Sequence, residues 1–157
     1  MGKYIRIVYS VCFLISMVAC QTMPLSEQNT IHPDHQWNSA KPEKYLFNIT
    51  DTNSLYKVVF VIRHHNAYHY KNIWVELSHH GVGEKAQTAS FNLNLADDQK
   101  GWLGTGMDDI YDQRIPLTAK PMKLKLGVNE FTIRHTMRED PLQNILSTGI
   151  RIEKAAL

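Results

Sequence analysis

Two groups of residues in this 157-residue chain carry side chains suited to holding a ligand or a metal. The first is histidine. His64, His65 and His69 lie close together, and His79 and His80 follow one strand length later. Histidine clusters hold zinc or copper. Neighbours on a strand, however, point to opposite faces, so each adjacent pair is split. If 66–72 is a hairpin connection, His79 and His80 also lie at the far end of their strand from it. These histidines therefore read as polar residues at strand ends. The second group is the acidic, glycine-rich segment from Leu95 to Asp112. Asp97, Asp98, Asp108, Asp109 and Asp112 offer oxygen ligands of the kind calcium takes. The alternating Asp/Asn spacing and closing glutamate of an EF-hand loop are missing. Gly101, Gly104 and Gly106 make no phosphate cradle, because no Lys-Ser/Thr and no helix follow them. The segment reads as a structured loop. Its glycines allow φ > 0, its aspartates accept from backbone amides, and Trp102 and Tyr111 pin it to the core. The same residues, Asp97, Asp98, Trp102, Asp108, Asp109, Tyr111 and Asp112, form the candidate partner-binding surface, with calcium as an open alternative.

Signals for catalysis are weak. No nucleophile-elbow motif is present. The pairs Asp97/Asp98 and Asp108/Asp109 are adjacent only in sequence, which says nothing about the roughly 5–10 Å separation a glycosidase needs. Neither an enzyme nor a cofactor is expected. The aromatics Trp37, Trp74, Trp102, Tyr68 and Tyr70 could form a sugar-stacking platform, although such residues more often serve as core or loop anchors.

The remaining reactive side chain is Cys20. It ends an apolar run from Ile7 to Ala19 that follows Lys3 and Arg6. A positive start, a short apolar stretch and a small residue before the cut make the layout of a secretory signal. The run is shorter than the roughly 20 residues a membrane-spanning helix needs. Met17-Val18-Ala19-Cys20 is similar to the bacterial lipobox, in which the cysteine thiol receives a diacylglycerol and a peptidase cuts before it. Each buried methylene contributes about 0.8 kcal/mol, so two or three acyl chains hold firmly where one does not.

Cys12 lies inside the signal, which leaves Cys20 as the only cysteine of the mature chain and excludes an intrachain disulfide. Without Lys3 and Arg6, the 17 Lys+Arg fall to 15, against 15 Asp+Glu. That balance argues against nucleic acid as a partner.

Positioning these residues is a matter of strands. Residues 1–19 read as the signal and 20–43 as a lipidated N-terminus and polar tether, with Trp37 the first residue to dock on the core. Residues 44–157 read as one domain. Tyr45, Phe47 and Ile49 alternate with Lys44, Leu46 and Asn48. Tyr56 to His65 is apolar on both faces and reads as a central strand. Ile73, Val75 and Leu77 alternate, as do Phe91, Leu93 and Leu95, and Phe131, Ile133 and His135. Ile150 and Ile152 face inward, with Arg151 and Glu153 outward. Asp140 to Ser147 is the one helix candidate, with Asp140 as cap and Pro141 in the first turn. The pattern implies an all-β fold, an antiparallel β-sandwich or jelly-roll with at most one short helix.

Several blocks occur together along the chain: Trp37-Asn38, Val61 to Tyr68, Asn72-Ile-Trp-Val, Leu95-Ala-Asp-Asp-x-x-Gly-Trp-Leu-Gly104, Asp109-Ile-Tyr-Asp112, Met137-Arg138 and Gly149 to Lys154. In that order they resemble the gliding-motility lipoprotein family GldH of Bacteroidota. The resemblance implies a membrane-anchored envelope lipoprotein at the outer membrane. Such a protein would be a non-enzymatic accessory of gliding and of the linked type IX secretion apparatus. Its partners would be the membrane, through the lipid on Cys20, and other envelope proteins of that apparatus. A surface glycan-binding β-sandwich is the alternative.

Overall fold

The computed structural model describes residues 25–155, and among these there is no helix. The expected signal (1–19) and Cys20 lie outside the described residues. The chain forms β1 (Leu25–Ile31), β2 (Gln36–Trp37), β3 (Glu43–Ile49), β4 (Tyr56–His65), β5 (Asn72–His80), β6 (Gln87–Asn94) and β7 (Ala96–Asp97). It continues through β8 (Gly101–Trp102), β9 (Thr105–Met107), β10 (Ile110–Pro116), β11 (Gly127–His135), β12 (Leu142–Gln143) and β13 (Ile145–Lys154). Two antiparallel sheets pack face to face. One has the order β1-β13-β4-β10-β9, the other β3-β11-β5-β6. The short pairs β2–β12 and β7–β8 sit at one end.

Period-two alternation decides what is buried. Tyr45, Phe47 and Ile49 of β3, Phe131 and Ile133 of β11, and Ile150 and Ile152 of β13 meet Phe60 and Ile62 of β4 in one core. β4 lies between β13 and β10, and Val59 and Val61 on its outer face are buried too. Across the outer face, Arg114 and Arg151 both reach Glu27 of β1, at 3.2 and 3.4 Å. Their aliphatic stems can shield apolar surface of this kind while the guanidinium groups stay wet. Gly149 lies opposite Asn29 in this sheet. A Cβ there would collide with the Asn29 side chain and the Gln28 carbonyl.

Three expectations need correction. The segment 20–43 is not all tether, because residues 25–31 form the edge strand β1, in register with Ser147–Glu153; Trp37 is buried, as expected of it. β1 is polar because its inward side makes hydrogen bonds. Gln28 pairs both the carbonyl and the amide of Leu46 on β3 (2.6 and 3.2 Å), and Tyr45 donates to Thr30 (3.0 Å). Gln28 thereby occupies part of the free edge of β3, a common way of blunting an exposed strand. Second, 66–72 is no hairpin. It carries the chain from β4 in one sheet to β5 in the other. Third, 140–147 is not a helix. Leu142–Gln143 pairs with Gln36–Trp37, Asn144 takes φ 65°, and β13 starts at Ile145.

Candidate functional site

The connections 32–42, 66–71, 95–104, 108–109 and 136–144 all leave one end of the sandwich. At that end β4 finishes with His64 pointing in and His65 pointing out. His64 is fully buried, which corrects its reading as a rim residue. Its Nδ1 donates to the His65 carbonyl (2.9 Å), and its Nε2 has no partner among the described residues. Three aromatics close around the ring. Trp102 meets it edge-on at 4.7 Å, Tyr68 lies at 5.6 Å, and Tyr111 stacks at 5.9 Å. Such pairs are each worth about 0.5–1.5 kcal/mol beyond their buried area. Burial holds the imidazole below its ordinary pKa, so it is neutral, and burial raises the Tyr68 phenol.

The acidic segment folds over this cluster as two tight ribbons. The Asp97 carboxylate accepts from the amides of Gln99 (2.9 Å) and Lys100 (3.1 Å), which turns the chain from β7 into β8. Gly104 has φ 88°, and a Cβ there would strike the Asp112 carbonyl. Asp108 takes φ 54° between β9 and β10. The candidate residues therefore share one end but divide by role. Trp102 and Tyr111 turn inward. Asp112 forms a two-pronged pair with Arg63 (2.8 Å for each bond), Asp109 meets His65 Nδ1 (3.1 Å), and Asp98 meets Lys71. The five aspartates do not converge. Among the described residues no group of three or more His, Cys, Asp or Glu is placed to hold a metal ion.

Of the proposed aromatic platform, Trp37 and Tyr68 are core residues and Trp102 is half-buried. Trp74 (43% exposed) and Tyr70 (36%) remain at the surface, beside a shallow groove with Asn72, Thr136, Met137 and Arg138. At the groove's rim, Glu139 accepts from His69 (3.1 Å). Partial burial alone would raise the Glu139 carboxyl, but its bonds to His69 and Tyr70 prevail and lower it.

One polar cluster gave no distinct signal in the sequence. Glu43 begins β3 in phase with Tyr45, so it too faces inward. Its Oε2 accepts from Tyr45 (2.6 Å) and Thr148 (2.5 Å), and its Oε1 lies 3.3 Å from His32. Burial raises the Glu43 carboxyl and lowers His32. Every member has a partner, and the cluster ties β1, β3 and β13 together beneath Trp37. The only available forewarning was phase: Glu43 stands two residues before an alternating apolar run.

Charge divides the molecule end from end. The end described above carries Asp34, Asp97, Asp98, Asp108, Asp109, Glu139 and Asp140 in its connections, against Lys41, Lys71, Lys100 and Arg138. The connections at the opposite end carry Lys85, Lys120, Lys123 and Lys125, against Asp51 and Glu84, and Lys57 and Lys154 stand with Glu153 at the strand ends beside them.

Comparison with known proteins fits this outline. The chain is 21% identical over 128 residues to the gliding motility lipoprotein GldH homolog of Christiangramia forsetii, covering 77% of this chain and 79% of that protein. Residues 25–152 match the GldH lipoprotein family. The matched span starts at the first residue of β1 and stops two residues short of the end of β13, and the chain belongs to the GldH lipoprotein family.

Proposed function

We propose that this protein is a non-enzymatic accessory of gliding motility and of the type IX secretion machinery linked to it. In this reading it is held at the outer membrane by acyl chains on Cys20. Its acidic, aromatic end docks other envelope proteins. The observation that carries the reading is the family match over both sheets, which begins five residues after the lipobox cysteine. The gliding motility named for the relative from Christiangramia forsetii supports the process. The geometry supports docking over catalysis. Asp112, Asp109, Asp98 and Asp97 are tied to Arg63, His65, Lys71 and their own turn, leaving a shaped surface with half-buried aromatic anchors. Anchors of that kind carry most of the energy in protein interfaces.

Affinity capture of the lipidated chain from its own envelope tests this. Components of the gliding or secretion apparatus should co-purify, and Trp102→Ala with Tyr111→Ala should lose them while the domain stays folded by circular dichroism. Unaltered recovery from that double variant would remove the docking role. Metabolic labelling with a fatty-acid analogue should mark the chain and fail to mark the Cys20→Ala variant.

The exposed pair Tyr70 and Trp74 favours the second reading, a glycan-binding module. Saturable binding in titration with cell-surface polysaccharide, lost in Trp74→Ala, would favour it over protein docking.

A further inference from the structure

The lysine-rich end is built as carefully as the acidic one. Asn129 is fully buried at the start of β11. Its Nδ2 donates to the carbonyls of Lys125 (2.8 Å) and Gly127 (3.1 Å), and its Oδ1 meets His79 Nε2 (3.1 Å). His79 in turn stacks on Phe131 at 4.5 Å. Gly127 takes φ 94°, and Lys125 pairs with Glu84 (3.3 Å) across to the β5–β6 connection. Three apolar side chains stand in water at this turn and beside it: Leu126 (63% exposed), Val128 (51%) and, from the β5–β6 connection, Val82 (57%). Lys85, Lys120 and Lys123 lie in the same two connections, exposed and, among the described residues, without an acidic partner. Exposed aliphatic side chains in connections that also carry unpaired lysines match the boundary between headgroups and acyl chains of an anionic bilayer.

Chain length points to the same surface. β1 begins at Leu25, beside Glu153 and Lys57, at this end of the sandwich. Ser26 lies near Asn48 and Ile49, which pair with Val128 and Gly127. From Cys20 to Leu25 is five residues, a reach of at most about 18 Å. β4, with 10 residues, runs about 33 Å from one end to the other. A domain leashed this closely must keep its lysine-rich end near the lipid and its acidic end away from it.

We propose that the Val82–Leu126–Val128 tip and the exposed lysines of its connections form a membrane-docking surface that takes anionic phospholipid headgroups. The inference rests on the lipid anchor at Cys20, and the two are tested separately. With Cys20 acylated and Cys12 removed with the signal, a single introduced cysteine can be labelled uniquely. The lipidated protein, carrying an environment-sensitive dye at Leu126→Cys or at Met107→Cys on the opposite end, is reconstituted into phosphatidylethanolamine–phosphatidylglycerol vesicles. Flotation with the vesicles reports the anchor. Blue-shifted emission and quenching by brominated acyl chains report docking.

The dye at 126 should shift and be quenched, and the dye at 107 should behave as in water. Each surface lysine contributes about 1 kcal/mol at an anionic membrane, or about fivefold. Lys120→Glu with Lys123→Glu should therefore lower the quenching at 126 sharply while flotation persists. Flotation with no difference between the 126 and 107 dyes would overturn the docking surface and leave the anchor standing. Loss of flotation would overturn both. Quenching that is equal in phosphatidylcholine vesicles and insensitive to the lysine changes would overturn the headgroup assignment.

Discussion

The two ends of this sandwich are made from the same strands and differ in almost every other respect. At the acidic end one connection folds back on itself as the β7–β8 ribbon, two others pair with each other as β2–β12, and aromatic rings close over buried imidazoles. His32, His64 and His135 are all buried there. At the lysine-rich end Val82 in connection 81–86 and Leu126 at the end of 117–126 stand exposed, and the neutral side chain of Asn129 fixes the turn at 125–127. A β-sandwich leaves its core indifferent to which end meets which partner, so the loops can be specialised separately. In the reading proposed above, a short leash from Cys20 to β1 would decide which end can reach lipid and leave the other end free for protein.

The largest expected effect comes from the wall both ends share. In Gly149→Ala the new methyl would occupy space held by Asn29 and the Gln28 carbonyl, pushing β1 off β13. Overpacking of this kind costs about 3 kcal/mol. It should lower the urea midpoint and expose β1 to hydrogen exchange ahead of the rest of the sheet. Protection of β1 equal to wild type would show that the leash does not depend on that pairing.

Acidification should separate the ends next. Burial lowers His32, His64 and His135, so each is neutral in the folded chain at a pH where the unfolded chain begins to take up protons. Their contribution is complete above about pH 6.5 and is lost as the pH falls through their lower folded values. Glu43 opposes this, because its raised carboxyl is relieved on protonation. The Asp140 carboxylate, 3.3 Å from His135, moderates the loss at that residue. Three imidazoles against one carboxyl leave a net loss of stability as the pH falls from about 7.5 to about 5.5. Denaturation midpoints at the two pH values measure it. Hydrogen exchange should open at 64–68 and 102 before 125–129, and the reverse order would contradict the assignment of pH sensitivity to the acidic end.

Much of this arrangement was legible in the sequence where side chains follow the pleat. β3, β11 and β13 read correctly because Tyr45, Phe47 and Ile49, or Ile150 and Ile152, alternate with polar neighbours. β4 read as central because both its faces are apolar. Trp37 and Trp102 read as residues that dock on the core, and both pack there. β1 was illegible because its inward residues are hydrogen-bonding ones, so an edge strand looked like a linker. The 66–72 connection was misread because local pattern cannot say whether the next strand stays in the same sheet. Asp140-Pro141 suits a helix start as well as it suits the corner before β12, and only the pairing with Trp37 decides between them. His64 looked like a rim residue because nothing local foretells Trp102 closing over it. The separation of charge into two ends depends on topology alone, since lysines at 57, 85, 120 and 154 are scattered along the chain.

Removing the support of the lysine-rich turn should have a smaller and more local effect. Asn129→Ala deletes two donated bonds and the bond with His79, at a cost of about 1–2 kcal/mol. Exchange should quicken at 125–127 and stay unchanged at 101–104. Recovery of protein partners through the acidic end should persist, and its loss would mean that the ends are coupled.

The smallest effect on stability should come from reversing surface charge, and there the ends differ in function alone. Lys123 is exposed and without an acidic partner, and Asp98 meets only the exposed Lys71. Exposed charges of this kind contribute little to folding. Neither Lys123→Glu nor Asp98→Lys should move the unfolding midpoint measurably. Lys123→Glu should weaken contact with anionic vesicles in a salt-dependent way. Asp98→Lys should leave that contact intact and alter only capture of protein partners. The two substitutions probe opposite signs of charge about one strand length apart, so a shared phenotype would require coupling through the core. The packing gives little route for it, because the buried residues between the ends are almost all apolar and already in contact.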